Sequence, residues 1–344
     1  MKRICILGHF GFGKEKNNGQ TIKTKIITTE LQKVYGLEAV GMEDTMGGWK
    51  FLLRMPFIVL RMLIRYHNII IMPAYKGARI ISPFLLLCNY FFHRQILYVA
   101  IGGWLPEYAR KYNLLRIVLQ RYDGIFVETT RMKRDMDALH FDNVYIMPNF
   151  KSLPILSEKD INCIPHKPFR LCTFSRVIKE KGIAEAIEAV KRCNSKNPTP
   201  LYTLDIYGII EQKEWFTKLM ANQPKEIQYK GIVDYSKSVE TLKYYYLLLF
   251  PTYYKGECFA GTLLDALAAG LPVLASNWHD NADIITDGMT GKLFTTHSVE
   301  ELEALLLNYA KDFKAVVEMK KFCLIRAESY RPERIISILT QHIV

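Results

Sequence analysis

The 344 residues, 49% hydrophobic and 23% charged, leave room for two α/β domains with a core each and exclude a disordered or low-complexity chain. Seven scattered cysteines, at positions 5, 88, 163, 172, 193, 258 and 323, form no Cys-x-x-Cys pair, which speaks against a disulfide framework and for a reducing cytoplasm. The net charge of +12 is uneven: residues 1–150 hold 21 Lys+Arg against 11 Asp+Glu and the remainder 25 against 23, so the first half is expected to meet something anionic, whether nucleic acid, a membrane surface or a lipid-linked diphosphate.

Arg3 to Gly8 reads as a first buried strand. The glycine-rich stretch His9-Phe10-Gly11-Phe12-Gly13 follows, then Asn18-Gly19-Gln20-Thr21 and a helix to about Tyr35. Strand, glycine-rich turn and helix open a doubly wound nucleotide-type domain, although the spacing is not Gly-x-Gly-x-x-Gly. Met1-Lys2-Arg3 leads straight into that strand, so no signal peptide is expected, and no apolar run reaches ~18 residues, so neither is a membrane span.

Trp49 to Tyr66 is rich in Leu, Ile, Phe and Met, and projected at ~100° per residue its Lys50, Arg54, Arg61 and Arg65 share one narrow face. A basic stripe on an apolar helix is the pattern of an interfacial membrane helix; a helix on a sheet with a basic solvent edge has it too. Pro56 argues against one continuous helix there. Strands are expected at Asn68 to Met72 and Gln95 to Ile101, with a helix from Ser82 to His93 between them. The second strand ends in Gly102-Gly103-Trp104, at the edge of an open parallel sheet where ligands bind. Trp104 there either stacks on a sugar ring or packs in the core.

Gly124 to Glu128 and Val144 to Met147 complete the first sheet. Asp135 and Asp137 fall in a helix, Thr130 to Leu139, where they point apart, so a solvated face is expected there and no metal. Asn149 to Phe169, with Pro154, Pro165 and Pro168, reads as the linker. A strand from Arg170 to Ser175 opens the second half and leads through Arg176 and Lys181-Gly182 into a helix from Ile183 to about Cys193. Further strands run from Leu201 to Gly208 and from Ile227 to Gly231, the latter followed by Ile232-Val233.

The most informative stretch comes next. An apolar run, Tyr246 to Phe250, ends at Pro251; Ala260 and Gly261 open a helix over Thr262 to Ala269, which Gly270 and Pro272 stop before a strand at Val273 to Ala275. A helix start leaves backbone N–H groups unpaired and carries partial positive charge, so it suits a phosphate. Glu257 and Asp265, with seven residues between them, bracket that turn and can accept hydrogen bonds from hydroxyl groups. The combination points to a phosphate flanked by sugars.

Glu257-Cys258-Phe259-Ala260, with Asp265 and then Ala-Gly-Leu-Pro-Val, resembles the signature of retaining glycosyltransferases of family four, which have the GT-B fold. Asp265 stands where the family has a second Glu, and the usual Gly-Phe-Gly is Cys-Phe-Ala. The resemblance implies two doubly wound Rossmann-like domains facing across a cleft: an acceptor domain over 1–163, a nucleotide-sugar domain over 164–330, and a helix over 331–344 that crosses back to the first. It implies that Arg176 and Lys181 hold the leaving diphosphate, a charge-stabilising task that two cations suit, and that Glu257 positions the sugar. The donor would lie against Gly13, the backbone of Ile232 and Val233, and the run Cys258, Phe259, Ala260, Gly261 and Thr262, with Asp265 on the ribose. The acceptor side would involve Asn18, Gln20, Lys23, Gly103 and Trp104.

Together these readings describe a cytoplasmic glycosyltransferase, peripheral on the inner face of the membrane. It would move a sugar from a UDP- or GDP-linked donor to a glycan or lipid-linked acceptor, with no cofactor and no metal required. Its partners would be the donor, the acceptor and an anionic membrane surface, without nucleic acid. The rival enzyme is a GT-B-like sugar-nucleotide epimerase, marked by turnover without an acceptor; the rival non-enzyme is a basic nucleic-acid-binding protein, for which no motif accompanies the charge.

Overall fold

A computed structural model describes residues 3–11, 19–45, 49–161 and 166–344. The chain divides into two compact units, residues 1–152 with 331–344, and residues 153–330.

In the first unit β1 (Ile4–Gly8), α1 (Gly19–Tyr35), β2 (Val40–Asp44), α2 (Trp49–Arg65), β3 (Asn68–Ile71), α3 (Tyr75–Asn89) and β4 (Gln95–Val99) alternate strictly. They are followed by α4 (Leu105–Lys111), α5 (Asn113–Leu119), β5 (Gly124–Val127), α6 (Thr130–Asp137) and β6 (Val144–Ile146). The six strands form one parallel sheet in the order β2-β1-β3-β4-β5-β6. Ile4 to Leu7 and Ile69 to Ile71 are fully buried, the continuous apolar run that a strand covered on both faces requires. Because the order reverses between β1 and β3, a crevice opens there at the carboxyl ends of the strands.

Two prolines do not break their helices. α2 runs unbroken through Pro56, and α3 starts at Tyr75, well before the expected Ser82, and runs through Pro83. Met55, Ile58, Val59, Met62 and Leu63 are buried along one face of α2. At roughly 2 kcal/mol for each such side chain, their burial outweighs the about 3 kcal/mol that an interior proline costs.

The second unit contains β7 (Phe169–Phe174), α7 (Ile183–Ser195), β8 (Tyr202–Tyr207), α8 (Lys213–Met220), β9 (Ile227–Gly231), α9 (Ser238–Leu242) and β10 (Leu247–Phe250). Then come α10 (Gly261–Ala268), β11 (Val273–Ser276), α11 (Asn281–Ile284), β12 (Gly291–Phe294), α12 (Val299–Lys311) and α13 (Phe313–Glu328). Its parallel sheet has the order β12-β11-β10-β7-β8-β9, so the reversal lies between β7 and β10. The division between units falls at 152/153 rather than 163/164 because the chain is already fastened to the second unit there. The Leu156 N–H donates to the Ala268 carbonyl at 3.0 Å, and buried Ile161 lies against Gly270.

The last helix, α14 (Pro332–Thr340), packs on α1 in the first unit. Beyond it the Asn68 side chain donates to the Val344 carbonyl at 3.1 Å, and Gln95 donates to the His342 carbonyl at 2.7 Å.

Candidate active site

The reversal of strand order brings two strand ends side by side in the second unit. The loop after β7 carries Arg176 and, in a short 3-10 turn over Lys179–Lys181, Lys181; the loop after β10 carries Thr252, Tyr254 and Glu257. Gly182 makes the approach possible. It ends the turn at φ +71°, and a Cβ on it would lie 2.0 Å from the Pro251 carbonyl oxygen, so only glycine lets the two loops touch. The Tyr253 N–H donates to the Glu180 carbonyl at 2.8 Å, fastening one loop to the other.

Lys181 and Glu257, 76 positions apart, meet at this seam. The ammonium donates to Glu257 Oε2, with the two side chains only 8% and 9% exposed. Thr252 Oγ1 donates to the same oxygen at 2.9 Å. The sequence places Lys181 in a loop, as a cation for the diphosphate; the structure also buries it, because the carboxylate neutralises its charge there. Arg176 is exposed, with its guanidinium 5.0 Å above the Tyr254 ring and 3.1 Å from Glu211. Lys181 lies 5.4 Å from the same ring, so Tyr254 links the two cations. Burial lowers the Arg176 pKa, but its bonds to Tyr254 and Glu211 more than offset this and leave it above the ordinary arginine value. It stays charged at every working pH.

α10 begins beside this group. Its N-cap is Ala260, which has no side chain to cap the helix, and Thr262 Oγ1 donates to the Phe174 carbonyl at 2.8 Å, tying the helix start to the end of β7. Cys258, Phe259 and Ala260 are buried, Phe259 with its ring against Tyr330. Such residues present backbone rather than side chain to a ligand. Asp265 is 2% exposed and accepts from Ser238 Oγ at 2.9 Å, so part of its hydrogen-bonding capacity is already used. Ile232 is exposed and Val233 half-buried, directly after Gly231, whose φ of +86° turns the chain off the end of β9.

In the first unit Gly13 and Asn18 lie outside the described residues. Gln20 donates to the Met72 carbonyl at 3.3 Å, at the β1/β3 reversal. Lys23, read as an acceptor contact, is instead buried and paired with Glu128, because it lies on the inward face of α1. Gly103 is half-buried after Gly102, and Trp104 belongs to an aromatic cluster. Its ring stacks on Tyr75 at 4.7 Å and meets Tyr108 edge-on at 5.3 Å, while its indole N–H donates to the Ile101 carbonyl at 2.9 Å. Trp104 is thus half-buried in a partly exposed aromatic cluster, with Tyr75 exposed, and not in the core. Asp135 and Asp137 pair with Arg131 and Lys133 on an α6 surface. Among the described residues no three of His, Cys, Asp and Glu gather as a metal site would need.

Sequence reasoning missed Thr252, Tyr254, Ser238 and Glu128. Thr252 and Glu128 each follow a buried strand at its carboxyl end, a position that signals a site in any parallel sheet. Ser238 and Tyr254 carry no such signal, since only the tertiary fold brings them to the acids and cations.

Residues 156–322 match the family described as glycosyl transferases group 1. Among curated proteins the chain is 26% identical over 216 residues to the UDP-N-acetylglucosamine–peptide N-acetylglucosaminyltransferase GtfA subunit of Streptococcus pneumoniae serotype 4, covering 61% of this chain and 42% of that protein. It thus spans less than half the length of that relative. Among solved structures, Anabaena Alr3699/HepE in complex with UDP superposes with a TM-score of 0.74 at 16% identity, over 98% of each chain. The pneumococcal O-GlcNAc transferase GtfA in complex with UDP and GlcNAc gives 0.66 at 19%, over 86% of this chain and 60% of that one. The two six-stranded parallel sheets with alternating helices are the GT-B fold.

Proposed function

With a glycosyl transferases group 1 domain over residues 156–322, we propose that this chain is a retaining glycosyltransferase of family-four type that moves a sugar from a UDP-sugar to a glycan or lipid-linked acceptor. The observation that carries the reading is the buried Lys181–Glu257 pair beside Arg176, at the start of a helix whose N-cap offers no side chain. UDP in the Anabaena and pneumococcal structures supports uridine over guanosine.

The chemistry follows from charge. As the bond between sugar and diphosphate breaks, the leaving UDP gains negative charge, which Arg176, Lys181 and the N–H groups at the start of α10 are placed to stabilise. Glu257 has two tasks. Its Oε2 fixes Lys181, and its Oε1 meets a hydroxyl of the transferred sugar. Asp265, which accepts from Ser238, is assigned to the ribose. The backbone of Ile232 and Val233 borders the nucleobase. Because the two cations carry the diphosphate charge, turnover is expected to be unchanged by EDTA.

A thermal-shift panel of UDP, GDP and their sugar conjugates tests the donor, since a ligand that binds the folded chain raises its midpoint by mass action. UDP-sugars are expected to raise it and GDP-sugars to leave it in place. The reverse order overturns the uridine assignment, and steady release of UDP without any acceptor points to the epimerase instead. The enzyme would work in the cytoplasm at an anionic membrane surface. No described helix is long and apolar enough to cross a bilayer.

A further inference from the structure

Between Asp44 and Glu107 the chain contains no acidic residue and seven basic ones. This stretch builds α2 and α3, two neighbouring helices on one face of the first sheet. α2 turns Met55, Ile58, Val59, Met62 and Leu63 to the sheet. On the opposite side it exposes a second apolar line: Leu53 74%, Phe57 77%, Leu60 46% and Ile64 58%. Their spacing of four, three and four residues makes one continuous ridge along the helix. α3 adds exposed Ile80 and Leu87. Exposed Arg54 and Arg65 flank the ridge, while Arg61, counted in the basic stripe, is paired with Glu43. The stripe is thus not a plain solvent edge; it borders an apolar surface that no described residue of this unit covers.

We propose that this α2–α3 face docks on an anionic lipid bilayer, with the ridge of Leu53, Phe57, Leu60 and Ile64 sunk among the headgroups and the arginines on lipid phosphates. Charge chooses the occupant. A second copy of the chain, related by a two-fold axis, would set basic face against basic face with no acid from this stretch to neutralise it. Nucleic acid would satisfy the arginines but leave the ridge in water. An anionic bilayer satisfies both.

The same face runs into a cavity of ≈ 400 Å³ between the starts of α2 and α3. Phe51, Leu52, Ile80 and Ile81 form apolar wall, and His9 and Gln20 lie at the carboxyl ends of the strands. Ile80 belongs to both surfaces. Resting on the transferase reading, the docking face therefore selects an acceptor that is itself anchored in a bilayer, its apolar part in this cavity and its hydroxyl end toward Gln20.

Flotation of the full chain with vesicles tests the proposal. The chain is expected to float with vesicles holding about 30% phosphatidylglycerol, to stay in solution with pure phosphatidylcholine, and to be released only in part by high salt. Phe57→Gln with Leu60→Gln, both at exposed positions, should lower the partition coefficient about tenfold or more. Phe57→Trp should emit at shorter wavelength on anionic vesicles and be quenched by brominated acyl chains. A native chain that stays in solution with anionic vesicles overturns the proposal, as does an unshifted Phe57→Trp emission on vesicles that carry the chain. So does light scattering that finds a dimer which the double variant splits, or a nucleic-acid complex that the two glutamines leave intact. UDP titration of the same samples separates the two claims: binding of UDP without flotation removes the docking face alone, and flotation without UDP binding removes the donor reading alone.

Discussion

The Lys181–Glu257 pair permits a test that separates folding from chemistry. Lys181→Met leaves a carboxylate that is 9% exposed with Thr252 as its neutral donor, and Glu257→Gln leaves an ammonium that is 8% exposed with no counter-charge. Removing one partner of a buried pair costs about 3–5 kcal/mol, and the small residual exposure places each variant near the lower end, about 3 kcal/mol. Replacing both removes the stranded charge, so the double variant should return to within about 1 kcal/mol of the native chain. Urea unfolding followed by the fluorescence of Trp278 is the suitable assay, because its indole N–H donates to the Tyr254 carbonyl at 2.9 Å in this same corner. Turnover should stay at least about 100-fold down in all three variants, since the charges act on the leaving diphosphate. Single variants as stable as the native chain, or a double variant as unstable as the sum of the two, would refute the buried-pair argument. Native-like turnover in the double variant would place the chemistry elsewhere.

Arg176→Ala should lower turnover about 100-fold with little change in the urea midpoint, because its guanidinium is half-exposed and Glu211 remains within reach of water. Gly182→Ala places a Cβ 2.0 Å from the Pro251 carbonyl oxygen at φ +71°, and should cost about 2 kcal/mol or more in urea unfolding, together with most of the activity. Asp265→Asn keeps an oxygen for Ser238 and should weaken UDP binding about tenfold by calorimetry while stability changes little. Burial raises the Asp287 carboxyl, yet the bonds from Lys292 and the Leu293 N–H more than offset this and hold it below the usual carboxylate value. Its stabilising contribution is present above the unfolded pKa and is lost as pH falls through the lowered folded value, so Asp287→Asn should flatten the acid limb of a stability–pH curve.

The fold was largely legible because each buried parallel strand is written as an apolar run and most stop signals are glycines or prolines. Ile4 to Leu7, Leu247 to Phe250 and Val273 to Ala275 are such runs, and they form β1, β10 and most of β11. Helix boundaries were less legible where a proline competes with burial: Pro56 and Pro83 both signal a break, and the apolar faces they sit beside override it. At the site, the residue types of Arg176, Lys181 and Glu257 were readable, but their relation was not. Nothing in the 75 intervening positions says that a lysine and a glutamate are buried on each other. That depends on strand order, which sets the β7 and β10 ends together, and on Gly182, which lets the loops touch. Lys23 shows the same gap: the sequence gives a polar residue near a glycine-rich loop, but not that its helix face points inward and pairs it with Glu128.

The central claim, transfer of a sugar from a UDP-linked donor, is tested most directly by counting both products of one reaction. The native chain, UDP carrying a labelled sugar, and a bilayer containing a lipid-linked saccharide acceptor should release one UDP for each sugar that becomes attached to the acceptor. Proton spectra of the first-formed product should show the same anomeric configuration as the donor, and Arg176→Ala should slow both products together. UDP released at the same rate with and without the acceptor, with the label left on free sugar, would contradict the account.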